Sequence, residues 1–446
     1  MAAAPPRRLK RPSPLPPPAK PVQLTLQSLR DLRNANAVLK GFQPVRPLHK
    51  QARLTAVKEV EEIQQQLYCR VSASNLEICN QEAIVAKLPL FWAQLDWSQR
   101  EQSGRKQSLI SLTTEQGDAW LFSCSGHDAA SIFDCLSVQG CIRPDFDTAV
   151  KIEKTLNQGS ASTIMSGSFR SLEKLPVSLV VKRLRKDDTG KNARREVQMM
   201  VLAQGHPCIV GFRGIFGRPA SLDQGFPVFN MLIDYHSSGD LFDHTKRCGG
   251  LEQSKALPIL RDIFSALCHL STLNIFHRDV KPENILMRQQ GPAVLCDFGI
   301  AVLLSDEAGL EKNLFTKGYA SPEMAEGIAR TANGDVFGAG CTLYFMLTRQ
   351  IPCFDADAAK MAKMRQKCKI NLQHISLAKI SEDCKDLLVR TVCREPDRLT
   401  AMQAIRHPAI VKTCGVEPGS PKSPSTSPKS PKSPWASPQS PKSPWA

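Results

Sequence analysis

From Tyr68 the chain alternates between short apolar runs and polar breaks. YCRVSA, LEICN, AIVAKL, FWAQLDW, SLISLTT and AWLFSC are rich in β-branched and aromatic residues and are separated by Asn, Gln, Gly and Ser. Runs of this length and period predict a series of β-strands over residues 68–141. HDAASIFDCLSVQGCI follows, with Ile132, Phe133, Leu136 and Gly140 at helical spacing, and predicts a helix that closes the sheet. Upstream, LQSLRDLRNANAVL and ARLTAVKEVEEIQQQL space Leu, Val and Ile as amphipathic helices do, so residues 23–67 are predicted helical. Beyond Asp147, apolar runs flank LNQGSASTI and SLVVKRL alternates. ARREVQMMVL places Val197, Met200 and Val201 on one helical face.

The two ends lack such patterning. Residues 1–22 hold eight prolines and only scattered apolar side chains, too few to offset ordering entropy. The tail 415–446 repeats SPKSP and SPWA, with eight Ser-Pro pairs between Ser420 and Ser443. Both arms are predicted disordered.

Composition refines this division. The formal charge of +16 would suit nucleic acid if it were clustered on a folded domain. It is not. Residues 1–58 set 12 Lys and Arg against the single acid Asp31, and the tail sets four Lys against Glu417. The central residues balance 42 basic against 40 acidic side chains. Nucleic acid is therefore not an expected partner. No apolar run reaches the roughly 18 residues of a membrane helix. The fifteen cysteines include no CxxC pair, which leaves a zinc ribbon or redox motif without support. Scattered thiols without a signal peptide point to the cytosol, and RRLKR at Arg7–Arg11 adds the nucleus as a second address.

The chemistry lies between residues 147 and 411. FHRDVKPENILM holds His277, Arg278, Asp279, Lys281 and Asn284, and thirteen residues after Asn284 VLCDFGIA places Asp297 ahead of Phe298 and Gly299. Lys182 closes an apolar strand, Glu196 stands fourteen residues further on a helix, and HPCIV follows. In this order and spacing the motifs resemble a eukaryotic protein kinase of the Ser/Thr type. Within that family the chain is similar to the calcium/calmodulin-dependent and related basophilic kinases. The resemblance implies an α+β, bilobal fold: a β-rich small lobe and a helical large lobe.

It also implies roles. Asp279 would accept the proton of a substrate hydroxyl, and Lys281 would neutralise the transferring phosphoryl group. Lys182, held by Glu196, would aim at the ATP phosphates, while Asn284 and Asp297 would offer oxygens to Mg²⁺, a hard cation. Leu156, Gly159 and Ile164 would cover the nucleotide. Asn157 and Ser162 replace two glycines of the family's loop, a departure that weakens its grip on the phosphates. Ile233 takes the gatekeeper place, and backbone groups from Asp234 to His236 would meet adenine. Asp240 would lie near the ribose, although it reads equally well as the N-cap of the helix begun by Leu241. His277, Arg278, Phe298, Gly299, Glu323, Asp335 and Arg398 would be structural, with Glu323 and Arg398 forming a buried ion pair. Thr316, shortly before Tyr319-Ala320-Ser321-Pro322-Glu323, marks Ser/Thr specificity.

From Ile300 to Ala320 the hydroxyls are Ser305, Thr316 and Tyr319 alone. Arg278 is therefore expected to meet a fixed carboxylate, Glu311 or Asp306-Glu307, and not a loop phosphate. Asp240 and Glu283 suggest substrates with basic residues upstream of the Ser or Thr, and the Ser-Pro tail suits proline-directed kinases. Residues 68–141 resemble a pleckstrin-homology domain in their consecutive antiparallel strands ending in one helix, without the family's helical tryptophan; a weak membrane or phosphoinositide contact is what that resemblance implies. The competing functional reading is a pseudokinase scaffold, or an adaptor acting through its N-terminal domain and tail.

Overall fold

The computed structural model describes residues 37–38, 43–48, 68–72, 75–79, 83–102, 105–125, 132, 135–159, 162–170, 178–184, 190–218, 228–312, 314–329, 331–352, 357–368 and 370–415. The predicted arms 1–22 and 416–446 and the predicted helix over 52–67 lie outside them.

The six apolar runs form two antiparallel meanders. The first is β3 (Tyr68–Ser72), β4 (Asn75–Cys79) and β5 (Ile84–Pro89), with the short β1 (Ala37–Val38) on its edge. The second is β6 (Gln94–Gln102), β7 (Arg105–Thr113) and β8 (Ala119–Ser125), edged by β2 (Gln43–Leu48). Their inward positions share one core, in which Val71, Ile78, Leu95, Ile110 and Phe122 meet Ile132, Cys135 and Leu136 of the following helical segment. Two meanders closed by a helical segment occur in many small β-rich domains. This arrangement alone therefore does not assign residues 68–141 to the pleckstrin-homology family.

The helical expectation for 23–67 needs correction where the chain is described. Ala37–Val38 and Gln43–Leu48 are strands, paired with β3 and β8. Pro44 and Pro47 forbid a continuous helix across β2, and proline is tolerated there because β2 is the last strand of its sheet.

A second sheet feature is not foreseeable from the sequence. Ile142–Arg143 form β9, parallel to both neighbours, with Ile142 opposite Gln94 on one side and Ile215 on the other. Two residues thereby join the N-terminal meander to the next lobe, giving ten strands in one sheet. That lobe holds β10 (Val150–Gln158), β11 (Ser162–Phe169), β12 (Ser178–Leu184), β13 (Phe212–Arg218) and β14 (Val228–Asp234). Helix α1 (Lys191–Ala203) packs Val197, Met200 and Val201 into the main core.

The large lobe is helical: α2 (Leu241–Arg247), α3 (Gln253–Thr272), α4 (Glu307–Glu311), α5 (Gly334–Thr348), α6 (Glu382–Thr391) and α7 (Pro408–Cys414). Every residue of α5 is buried, as its all-round apolar sequence requires. Two small ladders, Ile275–Phe276 with Val302–Leu303 and Ile285–Leu286 with Val294–Leu295, fix the loops that carry the chemistry.

Candidate active site

Strand register brings the first residues together. Ile164, Lys182 and Met231 are direct neighbours across β11, β12 and β14, and directly opposed residues share a face. Ile233, opposite Val180, lies on that same face. The alternate residues Leu179 and Val181 enter the outer core. Lys182 is thus turned towards α1, where its Nζ lies 2.5 Å from Glu196 Oε1 and 2.7 Å from Asp297 Oδ1. Burial alone would lower the pKa of this ammonium. The two carboxylates outweigh it and hold the group above its ordinary value, so Lys182 stays charged.

The catalytic loop is built from hydrogen bonds to its backbone. Asp335, at the start of α5, accepts from the amides of His277 and Arg278, both at 2.8 Å. Arg278 sits at φ +67° and Asp297 at φ +62°, where side chains other than glycine are uncommon. The buried Asp335 carboxylate fixes the first of these. His277 Nε2 contacts the Cys296 carbonyl at 3.1 Å, and the Asp279 amide donates to His277 Nδ1 at 3.3 Å. A carbonyl only accepts, so the proton resides on Nε2. Burial lowers the pKa of this imidazole, which keeps it neutral. Its ring meets Phe298 edge-on at 4.8 Å, tying the loop to the Asp297-Phe298-Gly299 turn.

Asp279 is the convergence point. Thr316 Oγ1 donates to its Oδ1 at 2.6 Å, and Lys281 Nζ and Asn284 Nδ2 donate to its Oδ2 at 2.8 Å each. Lys281 also donates to Thr316 Oγ1 at 2.8 Å. A carboxylate has about four lone-pair positions. Three are taken, and the remaining one on Oδ1 suits a substrate hydroxyl. Asn284 uses only Nδ2 in these bonds, including one to the Asp279 carbonyl at 2.9 Å, which leaves its amide oxygen for a cation.

The remaining predicted residues separate into several groups. Glu323 and Arg398 form a buried pair at 2.9 Å, and Arg398 also donates to the carbonyls of Cys393 and Asn333. Asp234 ends β14, with its amide on the Gly211 carbonyl and its carboxylate held by Arg213. His236 follows in the hinge, and burial lowers its pKa. Asp240 caps α2, accepting from the Asp243 amide at 2.8 Å, so the capping reading holds for one of its oxygens. Gly159 lies in the turn between β10 and β11, where an added Cβ would meet nothing closer than 3.6 Å. Leu156 is largely exposed on β10.

Glu311 requires correction as the partner of Arg278. It is exposed at the end of α4, whereas Arg278 donates to the carbonyls of Ile300, Gly309 and Lys312. The short helix and its C-cap present two of these carbonyls, Gly309 and Lys312, in place of a long acidic side chain. Asp306, the N-cap of α4, lies 4.0 Å from Arg195 Nη2 on α1. Burial first, then the Arg195 guanidinium, pushes Arg278 down to about 10, still charged at neutral pH.

A family model for the protein kinase domain matches residues 150–410, more than half of the chain. The chain belongs to the protein kinase family. Among relatives, it is 26% identical over 279 residues to serine/threonine-protein kinase PEPKR2 of Arabidopsis thaliana, covering 61% of this chain and 57% of that one. It is 30% identical over 228 residues to serine/threonine-protein kinase cds1 of Schizosaccharomyces pombe, covering 49% and 48%. Calcium/calmodulin-dependent protein kinase type IV of Rattus norvegicus is 26% identical over 276 residues, covering 61% and 56%. The chain thus spans about half the length of the curated relatives it matches. Protein kinases as a family use ATP with a divalent metal.

Two groups of residues around the site carried weak sequence signals. Asp306 offered only its place in an acidic loop. Phe91 and Trp92, which pack on the kinase core from the N-terminal domain, appeared only as part of a strand-like run.

Proposed function

We propose that the protein is an ATP-dependent protein serine/threonine kinase. The observation that carries this is the closed set of bonds around Asp279: Thr316, Lys281 and Asn284 orient the carboxylate and leave one acceptor position for an incoming hydroxyl. The cleft also offers hard oxygen donors. Asp297 keeps Oδ2 free of Lys182, and Asn284 keeps its amide oxygen. These two would hold Mg²⁺, which when bound supplies positive charge to the phosphates of ATP.

The chain's own residues do the rest. Lys182 anchors the phosphates, and Asp279 aligns the Ser or Thr hydroxyl for in-line attack and takes its proton. Lys281 sits on Asp279 and neutralises charge building on the transferring group. The substrate oxygen gains a bond to the γ-phosphorus as the bond to ADP breaks. Leu156, Gly159 and Ile164 roof the nucleotide, and the hinge at Asp234–His236 meets adenine. A pseudokinase is not favoured, because every charged catalytic position is present, with Lys182 paired to Glu196 and Asp297 and Lys281 paired to Asp279.

Asp240 and the exposed Glu283 support a preference for basic residues before the phosphorylated Ser or Thr. The Ser-Pro tail supports modification by proline-directed kinases, and the PH-like reading of 68–141 supports a weak membrane contact. A cytoplasmic or nuclear location fits the thiol content and RRLKR. The test is incubation with γ-labelled ATP and a degenerate peptide library. Label on Ser and Thr with Arg or Lys enriched upstream supports the whole reading; label without that enrichment removes the basophilic part, and no label removes the kinase.

A further inference from the structure

Helix α1 carries Glu196, so whatever holds α1 sets the Lys182–Glu196 bond. Within many folded lobes this is the task of the lobe's own sheet. Here a loop from outside the lobe reaches α1 along its length. Phe91 and Trp92 form the turn between β5 and β6 and pack against the main kinase core. The turn is fixed from behind: the Trp92 amide donates to the Gly140 carbonyl at 3.0 Å, and the Ile142 amide donates to the Ala93 carbonyl at 2.7 Å.

Three contacts follow α1 from one end to the other. At its start, the Trp92 ring lies 5.1 Å from that of Phe229, and Phe229 backs onto Gly190, the N-cap, where a Cβ would come within 3.0 Å of the ring. One turn further, the Arg194 guanidinium stands 5.5 Å over the Phe91 ring and pairs with Glu115 of the β7–β8 turn at 2.7 Å. Near its end, Val201 packs against Gly140, where a Cβ would meet Phe91 at 2.8 Å and Val201 at 3.2 Å. Gly140 is at φ +86°, so both its conformation and its lack of a side chain are needed for the approach. The exposed ion pair alone contributes little. The half-buried aromatic contacts of Phe91 and Trp92 and the continuous sheet through β9 carry the coupling.

We propose that Phe91 and Trp92 are positioning residues that brace α1 and keep Glu196 on Lys182, which makes residues 68–143 part of the catalytic unit. This rests on the kinase reading for its catalytic consequence but not for the brace itself. The brace acts on phosphoryl transfer through Glu196 and Lys182. Trp92→Ala in the full-length chain is therefore expected to lower kcat at least fivefold, with KM for peptide within twofold. Trp92→Phe should restore most of the loss. In a Glu196→Gln background, Trp92→Ala should add less than a twofold loss, because the bond it protects is already gone. The same full loss in both backgrounds, or no loss in either, overturns the proposal.

Hydrogen exchange gives a reading independent of activity. Trp92→Ala should speed exchange of amides in 191–203 at least tenfold while those of α5 stay unchanged. Equal acceleration in α5, or none in α1, reduces the loop to ordinary packing and overturns the brace. An inactive wild-type protein would sink the kinase reading and leave the exchange result to judge the brace.

Discussion

Thr316 Oγ1 donates to Asp279 Oδ1 at 2.6 Å, and the same hydroxyl accepts from Lys281. This triangle joins the segment after Asp297 to the catalytic loop and holds the carboxylate in one orientation. Thr316→Ala is expected to reduce kcat by roughly 10- to 100-fold, about 1.4–2.7 kcal/mol of transition-state stabilisation. Thr316→Ser should retain most of the rate. Steady-state kinetics on one Ser peptide compares the three proteins.

Asp306 and Glu311 make opposite predictions. Asp306 accepts from the Gly309 amide at 2.9 Å, capping α4, and faces Arg195. Asp306→Asn preserves a capping oxygen but removes the charge. It is expected to lower activity several-fold, whereas Glu311→Ala should stay within twofold of wild type. Equal effects in the kinase assay would discard the assignment of Asp306.

The Glu323–Arg398 pair predicts a pH-dependent stability. Burial pushes the Glu323 pKa up, but the Arg398 guanidinium and the Glu395 amide outweigh it and hold it below the usual value. A depressed carboxylate contributes stability above its unfolded pKa, about 4.3, and loses it as pH falls through the folded value. Arg398→Met leaves Glu323 buried without its partner and should cost about 3–5 kcal/mol at pH 7. That deficit should shrink below about pH 4.3, measured by denaturant unfolding across the range.

The contrast between local and long-range information explains what the sequence made legible. Asp279, Lys281 and Asn284 lie within one short loop, and their side-chain types announce the chemistry before any fold is known. The six strands of 68–125 were equally legible, because alternation is a local property. β2 was not: its pairing with β8 lies some 75 residues away, and an edge strand with Pro44 and Pro47 carries little propensity of its own. Nor was the role of Arg278's surroundings, since backbone carbonyls of Gly309 and Lys312 leave no trace in side-chain identity. The apposition of Trp92 to Phe229 is the same kind of fact, set by a two-residue strand that no pattern reveals.

Phosphoryl transfer depends most directly on Asp279. The direct measurement is transfer of labelled phosphate from γ-labelled ATP to a Ser/Thr peptide by wild type and by Asp279→Asn. Asparagine keeps the size and can still accept from Thr316, but it cannot take the proton. Wild type is expected to incorporate label and the variant to lose at least a thousandfold, with the folded structure retained. Incorporation by the variant at the wild-type rate would contradict this role of Asp279, as would its absence from wild type.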